Sequence, residues 1–143
     1  MRALALVLTG ACLVTACAPK PPKGVDEAEL TGAIGMAIGD PTTCVVLTEA
    51  PSGKVLWLYQ SVAECYRALP ACVAPGTRTP IEVAKAAARR GEALKTSCAD
   101  VSWASGPTPR KGVYYTATMQ GKLAMPGMEI ARRMDGVFKD TGF

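Results

Sequence analysis

Apolar residues recur with helical or strand periods in most stretches of the chain after residue 25. Leu30, Ile34 and Ile38 stand four residues apart behind Asp26-Glu27-Ala28-Glu29, a capping-box-like start, and this predicts a short helix ending near Ile38. Asp40-Pro41 breaks it. Two β-prone runs follow, Cys44 to Thr48 and Lys54 to Gln60, around Ala50-Pro51-Ser52-Gly53, and read as a hairpin. In the second run Val55, Trp57 and Tyr59 share one face while Leu56 and Leu58 share the other, so at least one face needs a helix over it.

Ser61-Val62-Ala63-Glu64 is a second capping box, opening a short helix that carries Cys65 and ends near Leu69-Pro70. Thr79 as N-cap, Pro80 at the first helical position and Glu82 open a longer helix, expected to run through about Ser97. Its stripe is Ile81, Ala84, Ala88, Gly91, Leu94 and Cys98, mostly small residues suited to close packing, with Lys85, Arg89, Glu92 and Lys95 elsewhere on a solvated surface. A second hairpin is expected from Val101 and Trp103, a loop over Ser105 to Gly112, and the alternating run Val113 to Met119. After Pro126-Gly127, the residues Ile130, Met134, Val137 and Phe138 mark a last helix. The expected fold is α+β: a small antiparallel sheet of two hairpins packed with about four helices, one domain over residues 26–143.

The composition narrows the chemistry. The 143 residues contain no histidine, which removes His-based triads, imidazole general bases and His-ligated zinc or haem. No Ser-x-x-Lys, Gly-x-Ser-x-Gly or phosphate-loop pattern is present. Most of the carboxylates are explained by helix caps and exposed helix faces. We therefore expect no catalysis and no cofactor, with a small His-free hydrolase as the remote alternative.

The N-terminus speaks to location. Met1-Arg2 precedes a twelve-residue apolar stretch from Ala3 to Val14, the size of a signal-peptide core and too short for the roughly 20 residues that cross a bilayer. It runs into Val14-Thr15-Ala16-Cys17, and there the sequence resembles a bacterial lipoprotein precursor with its lipobox. The resemblance covers residues 1–18. It implies cleavage after residue 16, a lipid on Cys17, and, with Ala18 next, anchoring to the outer membrane facing the periplasm. Ordinary secretion through Ala16-Cys17-Ala18 is the weaker reading, because it places Pro19 first in the mature chain. Cys12, behind Thr9-Gly10-Ala11, is a poorer lipobox cysteine. Within the tether of residues 17–25, Ala18 to Gly24, with three prolines and two lysines, read as a semi-rigid spacer of about 20 Å. Losing Arg2 lowers the net charge from +4 to +3, too little and too dispersed for nucleic-acid binding.

In an oxidising compartment Cys44, Cys65, Cys72 and Cys98 form an even set, spaced 21, 7 and 26 residues apart, with no Cys-x-x-Cys. Two disulfides are expected and no metal site. Three pairings are open. We favour Cys65 with Cys72 across the turn at Pro70, and Cys44 with Cys98. A candidate binding surface gathers aromatics and cations near the second hairpin, Trp103, Arg110, Lys111 and Tyr114. Such residues suit glycan, peptidoglycan or peptide contacts. The broader expectation is a membrane-anchored accessory subunit with an envelope protein partner, its oligomeric state left open.

Overall fold

The computed structural model describes residues 19–60 and 62–143; the expected leader, Cys17 and the Ser61 cap lie outside them. In chain order the elements are α1 (Glu27–Ile38), β1 (Cys44–Glu49), β2 (Lys54–Tyr59), α2 (Val62–Cys65), β3 (Leu69–Pro70), β4 (Thr77–Arg78), α3 (Pro80–Arg90), β5 (Leu94–Cys98), β6 (Val101–Pro107), β7 (Val113–Gln120) and α4 (Gly127–Asp140). Five strands form one antiparallel sheet in the order β2-β1-β7-β6-β5, and β3 and β4 pair separately. The fold is α+β, stapled by two disulfides.

The two expected hairpins become one sheet because β1 pairs with β7, Cys44 opposite Thr118 and Glu49 opposite Val113. Alternation then sorts side chains by face. Val45 and Leu47 join Tyr115, Ala117 and Met119 on one face, under Leu30, Ile34 and Ile38 of α1 and Ile130, Met134 and Phe138 of α4. Cys44 and Val46 face the other way, against Cys65 and against Ile81 and Ala84 of α3. Helices therefore cover both faces, which is why β1 is buried on both sides.

Caps fix the helix ends. Asp26 accepts from the Glu29 amide at 2.8 Å. Thr79 and Glu82 form a reciprocal box, the Thr79 amide donating to the Glu82 carboxylate at 2.8 Å and the Glu82 amide to the Thr79 hydroxyl at 3.2 Å. The bond from the Thr79 amide, aided by the Thr79 hydroxyl close by, holds the Glu82 carboxyl below its ordinary value. At the start of α4, a Cβ on Gly127 would run into the Trp103 carbonyl and the Thr96 backbone, so the helix approaches the sheet only because a glycine stands there.

Several expectations need correction. The short helix expected to reach Leu69-Pro70 stops at Cys65, and Leu69–Pro70 is β3. Strand β6 continues through Pro107, so the loop expected from Ser105 begins after it. The helix from Pro80 ends at Arg90, where Gly91 turns left-handed at φ 68°, and Leu94–Cys98 is the edge strand β5. Leu94, Thr96 and Cys98 alternate with exposed neighbours, a strand period that happens to continue the helical stripe. The disulfides join Cys44 to Cys65 and Cys72 to Cys98, with Cα atoms 5.3 and 5.4 Å apart. Four-residue α2 places Cys65 beside the start of β1. The chain then turns at Cys72, in the left-handed region at φ 63°, toward the end of β5.

Cys44 and Cys65 are fully buried whereas Cys72 and Cys98 are partly exposed. Limiting reductant should therefore open Cys72–Cys98 first, checked by alkylation and peptide mapping. Removing either bridge by paired serine substitution should cost about 3 kcal/mol by loop entropy, read from chemical unfolding. Among the described residues, the buried Thr118 hydroxyl has no hydrogen-bond partner. Thr118→Val should thus raise stability by roughly 1 kcal/mol, seen as a higher Tm.

Candidate functional site

The structure does not bring the four residues of the expected binding surface together. Trp103 is a correction: it is fully buried, packed with Leu69 and Val101 beneath α3, and its indole donates to the Pro70 carbonyl at 2.9 Å. It pairs with Thr118, whereas Tyr114 pairs with Pro107 at the opposite end of the β6–β7 ladder. Tyr114 is half-buried, its hydroxyl against Gly91. Lys111 is exposed on the loop.

Arg110 has a structural task. Its guanidinium donates to the Lys23 carbonyl at 2.7 Å and the Gly142 carbonyl at 3.3 Å, and lies 5.7 Å from the centre of the Phe143 ring. Phe143 packs in turn on Phe138, ring centres 4.8 Å apart. The β6–β7 loop thus clamps the segment before α1 to the chain's last residues. Val25 donates back to Pro22 at 3.0 Å, closing a turn, so the spacer expected through residue 25 is folded onto the domain from about Pro22.

A different feature offers a recess. Between α3, β5 and the β3–β4 turn lies a cleft of about 220 Å³. Val83, Ala86 and Ala87 of α3 form one wall, Ala93 and Leu94 another, and Ala71 and Val73 a third. Two cations, Arg78 and Arg90, stand at its rim with Glu92. Arg90 and Glu92 are 4.0 Å apart and more than 60% exposed, a weak pair that leaves the guanidinium able to take another partner. Arg78 makes no ion pair among the described residues.

Sequence reasoning missed this cleft although part of its signal was legible. Val83, Ala86, Ala87 and Arg90 follow helical spacing on the flank beside the core stripe. The opposite wall required knowing that Leu94 lies in a strand.

Several carboxylates are engaged in structural tasks. Glu27 accepts from the Trp57 indole at 2.9 Å, and Asp40 from the amide and hydroxyl of Thr42 at 2.6 and 2.7 Å. Glu129 is gripped by Arg132 and Arg133, whose hydrogen bonds hold its carboxyl down at about 2. Burial, aided by the Asp135 charge, pushes the Tyr115 hydroxyl above its usual value. Among the described residues no group of three or more Cys, Asp or Glu is placed to hold a metal, and no helix is long and apolar enough to cross a membrane. No family model and no curated protein matches the chain.

Replacing Arg110 by alanine should free both clamped segments. We expect a loss of about 1–2 kcal/mol, and faster amide exchange at Val25 and Phe143 than in the parent. Unchanged exchange at both amides would show that the clamp is idle.

Proposed function

We propose that the protein is a lipid-anchored component of the cell envelope, held through Cys17 in the outer membrane and facing the periplasm. It acts without catalysis, as an accessory subunit whose cleft grips a protein partner. The occupant is an apolar segment carrying a carboxylate, supplied by an envelope protein. The cleft carries this reading: its alanine and valine walls accept small apolar groups, while Arg78 and Arg90 at the rim match a carboxylate by charge and fork geometry. The N-terminal lipobox resemblance supports the location, and two disulfides suit an oxidising compartment. The engagement of Glu27, Asp40, Glu82 and Glu129 in caps and pairs supports a non-catalytic role. A glycan- or peptidoglycan-binding module stands second, since Trp103 is sealed in the core and offers no platform.

The test has two parts. Palmitate labelling in cells should mark the parent protein and not Cys17→Ala; equal labelling would overturn the anchor. A photo-crosslinker at Ala93 should trap one protein at a yield well above the same probe at Leu123, which is 93% exposed at the far end of the sheet. Arg78→Glu with Arg90→Glu should reduce that yield about tenfold, the size of one lost charge-assisted contact, while the paired lysine variant retains more. Equal yield at Ala93 and Leu123, or no response to the glutamates, would overturn the cleft as the docking site.

A further inference from the structure

We infer that the end of the domain from which the tether leaves is a basic face that rests on anionic phospholipid headgroups. This rests on the lipid anchor proposed above but not on the cleft.

Contacts between loops define that end. The Ala50 amide in the β1–β2 turn donates to Gly112 in the β6–β7 loop at 2.8 Å, and Arg89 donates to Ser52 in the same turn at 3.2 Å. Arg110 brings Lys23 and the chain's last residues to the same place. Lys20, Lys23, Lys54, Arg89 and Lys111 are exposed there, around the partly buried Arg110. The acidic groups nearby are Asp26, Glu27, Glu29, Glu49, Glu92 and Asp140. Three of these are occupied: Asp26 caps α1, Glu27 holds the Trp57 indole, and Glu49 accepts from Ser52 at 2.8 Å. The opposite end, where β5 turns into β6 and α3 and α4 begin, carries Asp40, Glu64, Glu82, Asp100 and Glu129 against Arg67, Arg78, Lys122, Arg132 and Arg133. The far end is thus balanced, and the excess of cations, to which Arg90 and Lys139 also contribute, lies at the end the anchor reaches.

Chain length commits that end to the membrane. Cys17 and Lys23 are six residues apart, at most about 20 Å of extended chain, and Arg110 fixes the Lys23 carbonyl to the domain. The domain cannot drift away on a long leash, and a bent tether brings its basic end within one Debye length, about 8 Å, of the lipid surface at physiological salt. Lysine and arginine side chains within that distance are drawn to anionic headgroups. The committed partner is thus the phospholipid leaflet that holds the anchor.

The experiment uses the full lipidated protein, taken from membranes in detergent and reconstituted on vesicles of phosphatidylcholine, or of phosphatidylcholine mixed with phosphatidylglycerol. Flotation reports binding, and amine acetylation read by mass spectrometry reports lysine exposure. With phosphatidylglycerol the reactivity of Lys20, Lys23 and Lys111 should fall several-fold while Lys95 and Lys122 stay unchanged. Salt near 1 M, where the screening length is about 3 Å, should restore it. Lys20→Glu, Lys23→Glu and Lys111→Glu combined should abolish the difference between vesicles, as judged at Lys54; all three side chains are exposed, and only the Lys23 backbone enters the clamp. Flotation with both vesicles and equal lysine reactivity would overturn the basic face and leave the anchor standing. Uniform protection that includes Lys95 and Lys122 would also overturn it. Flotation with anionic vesicles alone would support the face and overturn the anchor, and flotation with neither would overturn both.

Discussion

The pairing of β1 with β7 is the constraint on which the rest depends. It joins the early hairpin to the late one, Cys44 meeting Thr118 across 74 residues of chain, and it makes both strands interior to the sheet. An interior strand whose two faces are apolar has to be covered twice. Val45 and Leu47 call for α1 and α4, Val46 for α3, and each helix meets the call with residues spaced to suit it. On the α3 side the floor also contains Thr48, Ser105 and Thr116, whose hydroxyls bond Ala84, Tyr115 and one another. Small polar residues below and alanines above let α3 lie close, and the unpaired Thr118 hydroxyl marks where that arrangement is incomplete.

Residues 62–78 have too little regular structure to hold themselves: one four-residue helix and two two-residue strands. Three fixings compensate. Cys65 is bonded to the start of β1, Cys72 to the end of β5, and the Trp103 indole donates to Pro70. Each ties this excursion to a different strand, as small domains with limited cores commonly require. The same excursion supplies Ala71 and Val73 to the cleft, so the staples that secure it also shape one of the cleft's walls.

Elements with a strong local period were legible in the sequence. The Asp26 and Thr79 caps, the turn at residues 50–53 and the stripe Ile130, Met134, Val137 and Phe138 each carry their own signal, and each is where it was expected. What escaped was set by tertiary contact. Leu94 and Cys98 satisfy a helical stripe and a strand alternation equally well, and only the Gly91 turn and pairing with β6 decide between them. The disulfide pairing followed from that error, since a Cys98 at a helix end was placed toward Cys44, whereas a Cys98 on β5 meets Cys72. Trp103 and Arg110 are near one another in sequence and of types that suit a ligand, yet one fills the core and the other clamps the termini. Residue type alone does not distinguish recognition from support.

Arg110 also bears on how the domain would present itself. A free spacer of nine residues would let the domain tumble, and any cleft on it would face all directions equally. With the Lys23 carbonyl and the chain's last residues held by one guanidinium, only the residues before the clamp remain to bend. The cleft lies on the flank formed by α3 and the edge strand β5, where Arg90, Glu92 and Ala93 follow directly on Arg89. In the proposed arrangement the clamp would therefore hold the cleft at a set attitude to the membrane, reachable by a neighbouring envelope protein along α3 and β5. A longer or looser connection would forfeit that orientation, because the cleft's own residues contain nothing that fixes its direction.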